Sequence, residues 1–279
     1  MSAGQHISLS DAREDRGALV FWRHLSKSLR NPEFWALSSW LDILVKARKS
    51  RLGILWLMTP ALVYVFGLGA FFAGMGGKPI PLFAAHVALG SIVFRTLMST
   101  VMSSAGIFHS GASFIMDGRT RLTDYLLQSI AKSFFDLCMY LPITCIALWI
   151  FPAVALKGLA FAPVALLLIY INALWISVVF GLLGARFPDF GQLLSNISIF
   201  LFLLTPIIWY PDTMPAESLR GQLMRANPFY HFIQIFRAPI LVEPIEPLTW
   251  WYVGISSVMG LAIATLLYRR YARFVPLWI

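Results

Sequence analysis

The sequence predicts an all-α membrane protein: six transmembrane helices, an N-terminal amphipathic interface helix, and a re-entrant outer helical pair between helices five and six. Three observations carry that prediction. Hydrophobic residues make up 58% of the 279-residue chain and charged residues only 13%, about half the charged share of a soluble domain. The chain holds 22 Phe and 10 Trp, more apolar matter than one water-soluble core can hide. Long apolar runs recur along it, separated by basic flanks. A soluble enzyme, a disordered chain and a secreted disulfide scaffold are all excluded by this composition. The two cysteines, Cys138 and Cys145, would lie about 10 Å apart along a straight helix, too far for a disulfide.

Residues 1–31 read as a polar cytoplasmic tail without the early apolar stretch of a signal peptide. Nine Lys and Arg stand between Arg13 and Arg51, against five acids over residues 1–51. Residues 32–51, PEFWALSSWLDILVKARKSR, place Phe34, Trp35, Leu37, Trp40, Leu41, Leu44 and Val45 at helical spacing. The pattern predicts an amphipathic interface helix with Trp35, Trp40, Lys46 and Arg48 at headgroup level. On composition alone it suits a simple membrane anchor equally.

Residues 52–279 form the predicted six-span domain, with crossings near 53–73, 80–102, 134–151, 159–183, 193–210 and 250–268. The first reaches about 30 Å at 1.5 Å per residue, the thickness of the hydrocarbon layer. Prolines at 60, 142, 163 and 206 are tolerable in membrane helices. Lys46, Arg48, Lys49 and Arg51 abut the first span, Arg119, Arg121 and Lys132 follow the second, Arg186 the fourth, and Arg269, Arg270 and Arg273 the sixth. The opposite side holds Lys78, Lys157 and a 211–249 connection with three arginines and four acids. The positive-inside rule therefore predicts both termini in the cytoplasm. The net charge of +9 belongs to these flanks rather than to a nucleic-acid surface.

Two further segments do not span. Residues 117–128, DGRTRLTDYLLQ, are short and polar; they suit a cytoplasmic helix that docks a soluble partner, or an ordinary loop. Residues 219–241 are too apolar for a free loop and are interrupted by Pro228 and Pro239. They suit a short helix, a break and a second helix dipping into the membrane, or a surface cap. His86 and Arg95 are polar residues inside the second span, where ionisable groups point to function by default. Arg95 reads as lying nearer the cytoplasmic end, within reach of the headgroups, and Asp136 likewise. Asn172 is the main polar residue of the fourth span and suits a helix–helix hydrogen bond.

No GxxxxGK[ST], HExxH or GxSxG motif appears, so no ATP hydrolysis or metal-dependent chemistry is expected on this chain. No acidic or histidine constellation of a membrane transferase is visible, nor the carboxylates of an ion-coupled transporter. Aromatic residues concentrate along the first span (Trp56, Tyr64, Phe71, Phe72), the exit of the fifth (Trp209, Tyr210) and the segment beyond (Phe229, Tyr230). Such rings can stack on sugar faces, and they are also ordinary membrane-belt residues.

Three motifs resemble a known family. KARKSRLGILWLMTPALVYV, residues 46–65, places Arg51, Leu52, Gly53, Trp56 and Pro60 as in R-x-L-G-x-x-W-x-x-x-x-P. LLTPIIWYPDTMP, residues 203–215, and NPFYHFIQIFRAPIL, residues 227–241, follow. Together they resemble the permease subunit of polysaccharide-exporting ABC transporters, type-2 exporters of O-antigen, capsule or teichoic-acid polymers. The family often has an acidic residue after the arginine of the third motif; here Ala238 and Pro239 follow Arg237, which weakens the carry-over of an ion pair there but not the gate placement.

The resemblance implies two copies of the chain around a central conduit in the bacterial inner membrane. It also implies two copies of a cytoplasmic ATPase that hold ATP and Mg, no cofactor on this chain, and a lipid-linked polysaccharide as cargo. It puts the main coupling helix at 117–128 (Asp117, Arg119, Arg121, Asp124 and Tyr125), the interface helix at 33–50, and two gate helices at 219–241. A drug or a small lipid is the alternative cargo. The aromatic residues named above are the candidate substrate path.

Overall fold

A computed structural model describes residues 19–48, 51, 53–76, 79–118, 120–150 and 155–279. Among them the chain is helical throughout, with no strand. In chain order the α-helices are α1 (Val20–Arg30), α2 (Glu33–Arg48), α3 (Thr59–Leu62), α4 (Gly69–Gly76), α5 (Ile80–Ser110), α6 (Ala112–Met116) and α7 (Leu122–Ile150). Then come α8 (Leu156–Arg186), α9 (Phe190–Leu204), α10 (Leu219–Ala226), α11 (Pro228–Leu241), α12 (Pro247–Tyr271) and α13 (Val275–Trp278).

Among the described residues four helices are long and apolar enough to cross a membrane: Ile80–Ser110, Leu122–Ile150, Lys157–Arg186 and Pro247–Trp278. The remaining two predicted crossings contain shorter apolar helices, Thr59–Phe72 and Phe190–Leu204. The first of these is not one regular helix. It begins with a tight three-residue-per-turn stretch at Gly53–Met58 and widens to a π-helix at Val63–Leu68. Pro60, near the start of α3, brings no N–H to the ladder. The second stops at Leu204 because the Thr205–Pro206 break follows. Pro142 and Pro163 sit inside unbroken α7 and α8.

α5 is the central post. Of its most apolar window, 78% is buried inside the chain, against 17% for the last long helix. One apolar core surrounds its first two thirds and gathers α7, α8 and α11 through Leu89, Ile92, Leu97, Ile143, Ile169 and Ile233. A second core forms at its far end, where Phe108 meets Phe21 of α1, Leu126 of α7, Val178 of α8 and Tyr268 of α12. Gly184 lets α8 lie against α5 so closely that a Cβ there would collide with the Ala105 carbonyl. Asn172 bridges α8 to α12: its amide donates to Ser257 Oγ at 2.7 Å and its oxygen accepts from Ser256 Oγ at 3.1 Å.

Helix ends depart from the predicted spans. α5 continues eight residues beyond the apolar run, to Ser110, and α7 starts at Leu122, twelve before the predicted third span. Arg95 and Asp136 thereby lie mid-helix, each about 20 Å from either end of its helix. The predicted tail contains α1, whose Phe21 and Leu25 are buried. Its polar face hid those two residues. α2 is fastened to α7 by polar contacts: Lys132 Nζ lies 2.6 Å from Asp42 Oδ2, and Ser39 Oγ donates to the Gln128 carbonyl at 3.3 Å.

Candidate transport path

Midway along α5 a cleft of about 410 Å³ opens between Tyr64, α5, α7 and α9. That volume lies in the range of small-molecule sites. Its aromatic wall is continuous. Tyr64 meets Phe202 edge-on at 5.3 Å between ring centroids, Phe202 meets Phe94 at 5.5 Å, and Phe94 meets Phe229 of α11 at 5.0 Å. The opposite side is polar. Arg95 lies over the Tyr140 ring at 4.8 Å, and its Nε has no hydrogen-bond partner among the described residues. Ser99 Oγ donates to Asp136 Oδ2 at 2.5 Å. One guanidinium, one carboxylate and the hydroxyls of Ser91, Ser99 and Ser198 therefore share the space with three rings. Its formal charge balances.

Phe229 belongs to the segment 219–241, which forms α10 and α11 meeting at Asn227. The sequence folds this way for a local reason. Asn227 caps α11 by accepting from the Phe229 N–H at 3.1 Å, Pro228 supplies a helix-ready first residue, and Ser218 caps α10 from the Gly221 N–H at 3.0 Å. The Asn227 amide also donates to Thr205 Oγ1 at 2.8 Å, joining this corner to the break after α9. Pro239 does not stop α11, which runs on to Leu241.

Arg237 lies wholly buried on α11. Its Nη1 donates to the Pro206 carbonyl at 2.7 Å and to His86 Nε2 at 3.1 Å. His86 Nδ1 stands 3.4 Å from Glu243 Oε1, and Glu243 Oε2 is 3.4 Å from Arg237 Nε. His86 Nε2 also lies 3.2 Å from the Trp209 carbonyl, so the guanidinium and that carbonyl meet at one ring nitrogen. Burial pushes the Glu243 carboxyl up, but the His86 hydrogen bond and the Arg237 charge outweigh it and hold the group below its ordinary value. Gly90, one turn along α5 from His86, leaves room: a Cβ there would meet Arg237 Nη1 at 3.4 Å. An ion pair thus exists where the motif lacked its neighbouring acid, made by Glu243 six residues on. Val242, in left-handed backbone at φ 59, turns the chain that brings it back.

His231, also on α11, stacks on Tyr252 at 4.2 Å and donates from Nε2 to the Arg225 carbonyl at 2.8 Å. Burial lowers its pKa.

The predicted path residues divide. Tyr64 lines the cleft. Tyr210 packs on His86 at 4.1 Å, Phe229 on Phe94, and Tyr230 is buried in α11. Trp209 donates from Nε1 to the Leu203 carbonyl at 3.1 Å. Phe71 is exposed and meets Phe72 edge-on, away from the cleft. The Trp56 side chain lies outside the described residues. Phe94, Phe202, Arg95 and Asp136 complete the cleft; the spacing of Arg95 and Ser99 on one face of α5 was the available signal.

The predicted coupling residues also divide. Asp117 is exposed in the turn after α6, and Arg121 is half-buried. Asp124 and Tyr125 are buried in the first turn of α7, where Asp124 accepts from the Arg121 N–H at 2.9 Å; neither presents a docking surface. Arg119 and the Lys46 side chain lie outside the described residues. Phe114 and Met116 of α6, just before this segment, are exposed. On α2, Trp35 donates to the Ser28 carbonyl at 2.9 Å and is half-buried, while Trp40 and Arg48 are exposed.

No curated protein matches the chain. The sequence model of the ABC-2 type transporter family matches residues 20–241, from α1 to the end of α11. The chain therefore belongs to the ABC-2 type transporters, as a multi-pass membrane permease that works with a cytoplasmic ATPase subunit on which ATP is hydrolysed.

Proposed function

We propose that two copies of this chain pair around a conduit for ATP-driven export of a lipid-linked polysaccharide across the bacterial inner membrane. Each copy crosses six times with both termini in the cytoplasm. Two cytoplasmic ATPase subunits hold the ATP and Mg, and no cofactor belongs to this chain. The fifth and sixth crossings needed beyond the four long helices come from the stretches around Thr59–Phe72 and Phe190–Leu204. The tight turns at Gly53–Met58 and the residues after Leu204 extend them. α10 and α11 form the re-entrant outer gate. α2 lies in the interface, with Leu37, Leu41 and Val45 exposed along one stripe.

One observation carries the polymer reading: the charge-balanced cleft that combines Arg95, Asp136 and serine hydroxyls with the Tyr64, Phe94 and Phe202 rings. A neutral sugar unit presents hydroxyls to the first group and an apolar ring face to the second. Aromatic contacts of this kind contribute about 0.5–1 kcal/mol each.

The test reconstitutes the permease with its co-purifying ATPase in lipid vesicles and measures ATP turnover. Lipid-linked polysaccharide should stimulate turnover, and Tyr64→Leu with Phe202→Leu should reduce that stimulation at unchanged assembly. Stimulation by an amphiphilic drug or a small lipid, with none by the polymer, assigns the other cargo.

A further inference from the structure

At the end of α12 lies a second cavity, of about 700 Å³, that the transport path does not use. Arg121, just before α7, and Arg269, Arg270 and Arg273, at the end of α12 and just after it, all line it, and among the described residues no Asp or Glu does. Among the described residues none of these four arginines has an ion-pair partner. Arg270 lies over Tyr271 at 5.6 Å and Arg273 over Phe274 at 4.7 Å, so aromatic faces hold two of the guanidinium groups in place. Four positive charges without an ion-pair partner among the described residues surround one concavity, an arrangement that suits an anion.

Tyr271 also lines a neighbouring groove of about 310 Å³ with a different character. Leu182, Leu183, Leu267 and Trp278 form its walls, and Arg186 stands over the Trp278 ring at 5.6 Å. Cationic cavity and apolar groove thus adjoin at one side chain, at the end of a helix long and apolar enough to cross a membrane. A soluble anion would use only the first. A molecule with a phosphate at one end and a hydrocarbon chain at the other would use both, and basic pockets at helix ends on the cytoplasmic side are suited to such headgroups.

We propose that this end of the protein holds an anionic phospholipid, with its phosphate in the arginine cavity and an acyl chain in the adjoining groove. The assignment is independent of the cargo. Because Arg121 opens α7 while the other three arginines close α12, the bound lipid clips the start of one long helix to the end of another.

The test is lipid retention by the full-length protein in detergent, read by native mass spectrometry over titrations of phosphatidylglycerol and of phosphatidylcholine. Phosphatidylglycerol should be retained in preference to phosphatidylcholine. Each cation near such a headgroup contributes about fivefold in affinity, so R269Q/R270Q/R273Q should weaken retention about a hundredfold. The corresponding triple Lys variant should stay close to wild type. These side chains are exposed, so the fold tolerates their replacement. Leu183→Ser should weaken lipid retention and leave binding of inorganic phosphate unchanged. Equal retention of the two lipids overturns the proposal, as does unchanged retention in the triple Gln variant. Inorganic phosphate competing at the same concentration as lipid removes the groove from the site. Loss of a co-purifying ATPase from the triple Gln variant, with lipid retention intact, gives the arginines to a protein partner instead.

Discussion

Glu243 Oε2 stands 3.4 Å from Arg237 Nε, and the guanidinium it faces has no exposed surface. The same carboxylate reaches His86 on α5 through its other oxygen. One acidic side chain therefore fixes α11 against the central post of the fold.

Removing that acid should be costly. Glu243→Gln leaves a buried cation without its counter-charge, a loss of about 3 kcal/mol or more. Thermal unfolding of Glu243→Gln, Arg237→Met and the double variant measures it. The double variant should recover much of the single loss, since no buried charge then remains. A double variant as unstable as the sum of both singles would deny the coupling.

Val242 offers the opposite effect. It is a β-branched residue in left-handed backbone, φ 59, at the end of α11, and its side chain is exposed. Glycine adopts that conformation without the Cβ clash. Val242→Gly should raise stability by about 1 kcal/mol and leave transport unchanged. A lower melting temperature would show that the exposed valine side chain makes a contact the turn depends on.

His231 predicts a pH dependence. Its folded-state pKa lies below the ordinary value of 6.5 because it is buried, near the Arg225–Glu246 ion pair. Below about pH 6.5 the unfolded chain binds the proton more readily than the folded one. Stability is therefore full above that pH and falls as pH drops below it. Melting curves from pH 7.5 to 5 should slope less in His231→Gln than in wild type. Parallel slopes would show that other groups govern the acid limb.

The ATPase contact should centre on α6. Phe114 and Met116 are exposed apolar side chains on a short helix beside Asp117. Changing both to Ser should alter folding by no more than about 0.5 kcal/mol. Recovery of the co-purifying ATPase should fall at least tenfold. Full recovery in that variant, together with loss in Asp117→Ala, would move the contact to the charged turn.

Much of this fold was legible because apolar runs of membrane length have few alternatives. The break at Pro228 was legible because proline lacks an N–H, whereas Pro206 reads as tolerable inside a span that in fact stops at Leu204, and Pro239, which reads as an interruption, leaves α11 unbroken. Helix ends were not legible, because a helix continues through polar residues when other helices cover them. Ser104, Thr123 and Ser129 are all buried, and the pairing of Ser104 with Ser129 at 2.9 Å carries α5 and α7 beyond the lipid-like stretch. That continuation relocated Arg95 and Asp136 and buried Asp124 and Tyr125. The Arg237–Glu243 pair was hidden because it needs a left-handed residue between helix and acid, which no spacing rule supplies.

α9 has no buried residue, and Ile199, Phe200 and Leu203 present much of their surface outward. Local opening costs least where few apolar contacts must be broken. This wall of the cleft should therefore exchange its amide hydrogens sooner than α5, and should be the one displaced when cargo enters. The molecule is then a rigid spine with one compliant shutter. That side can yield without any loosening of the buried post that holds the two apolar cores together.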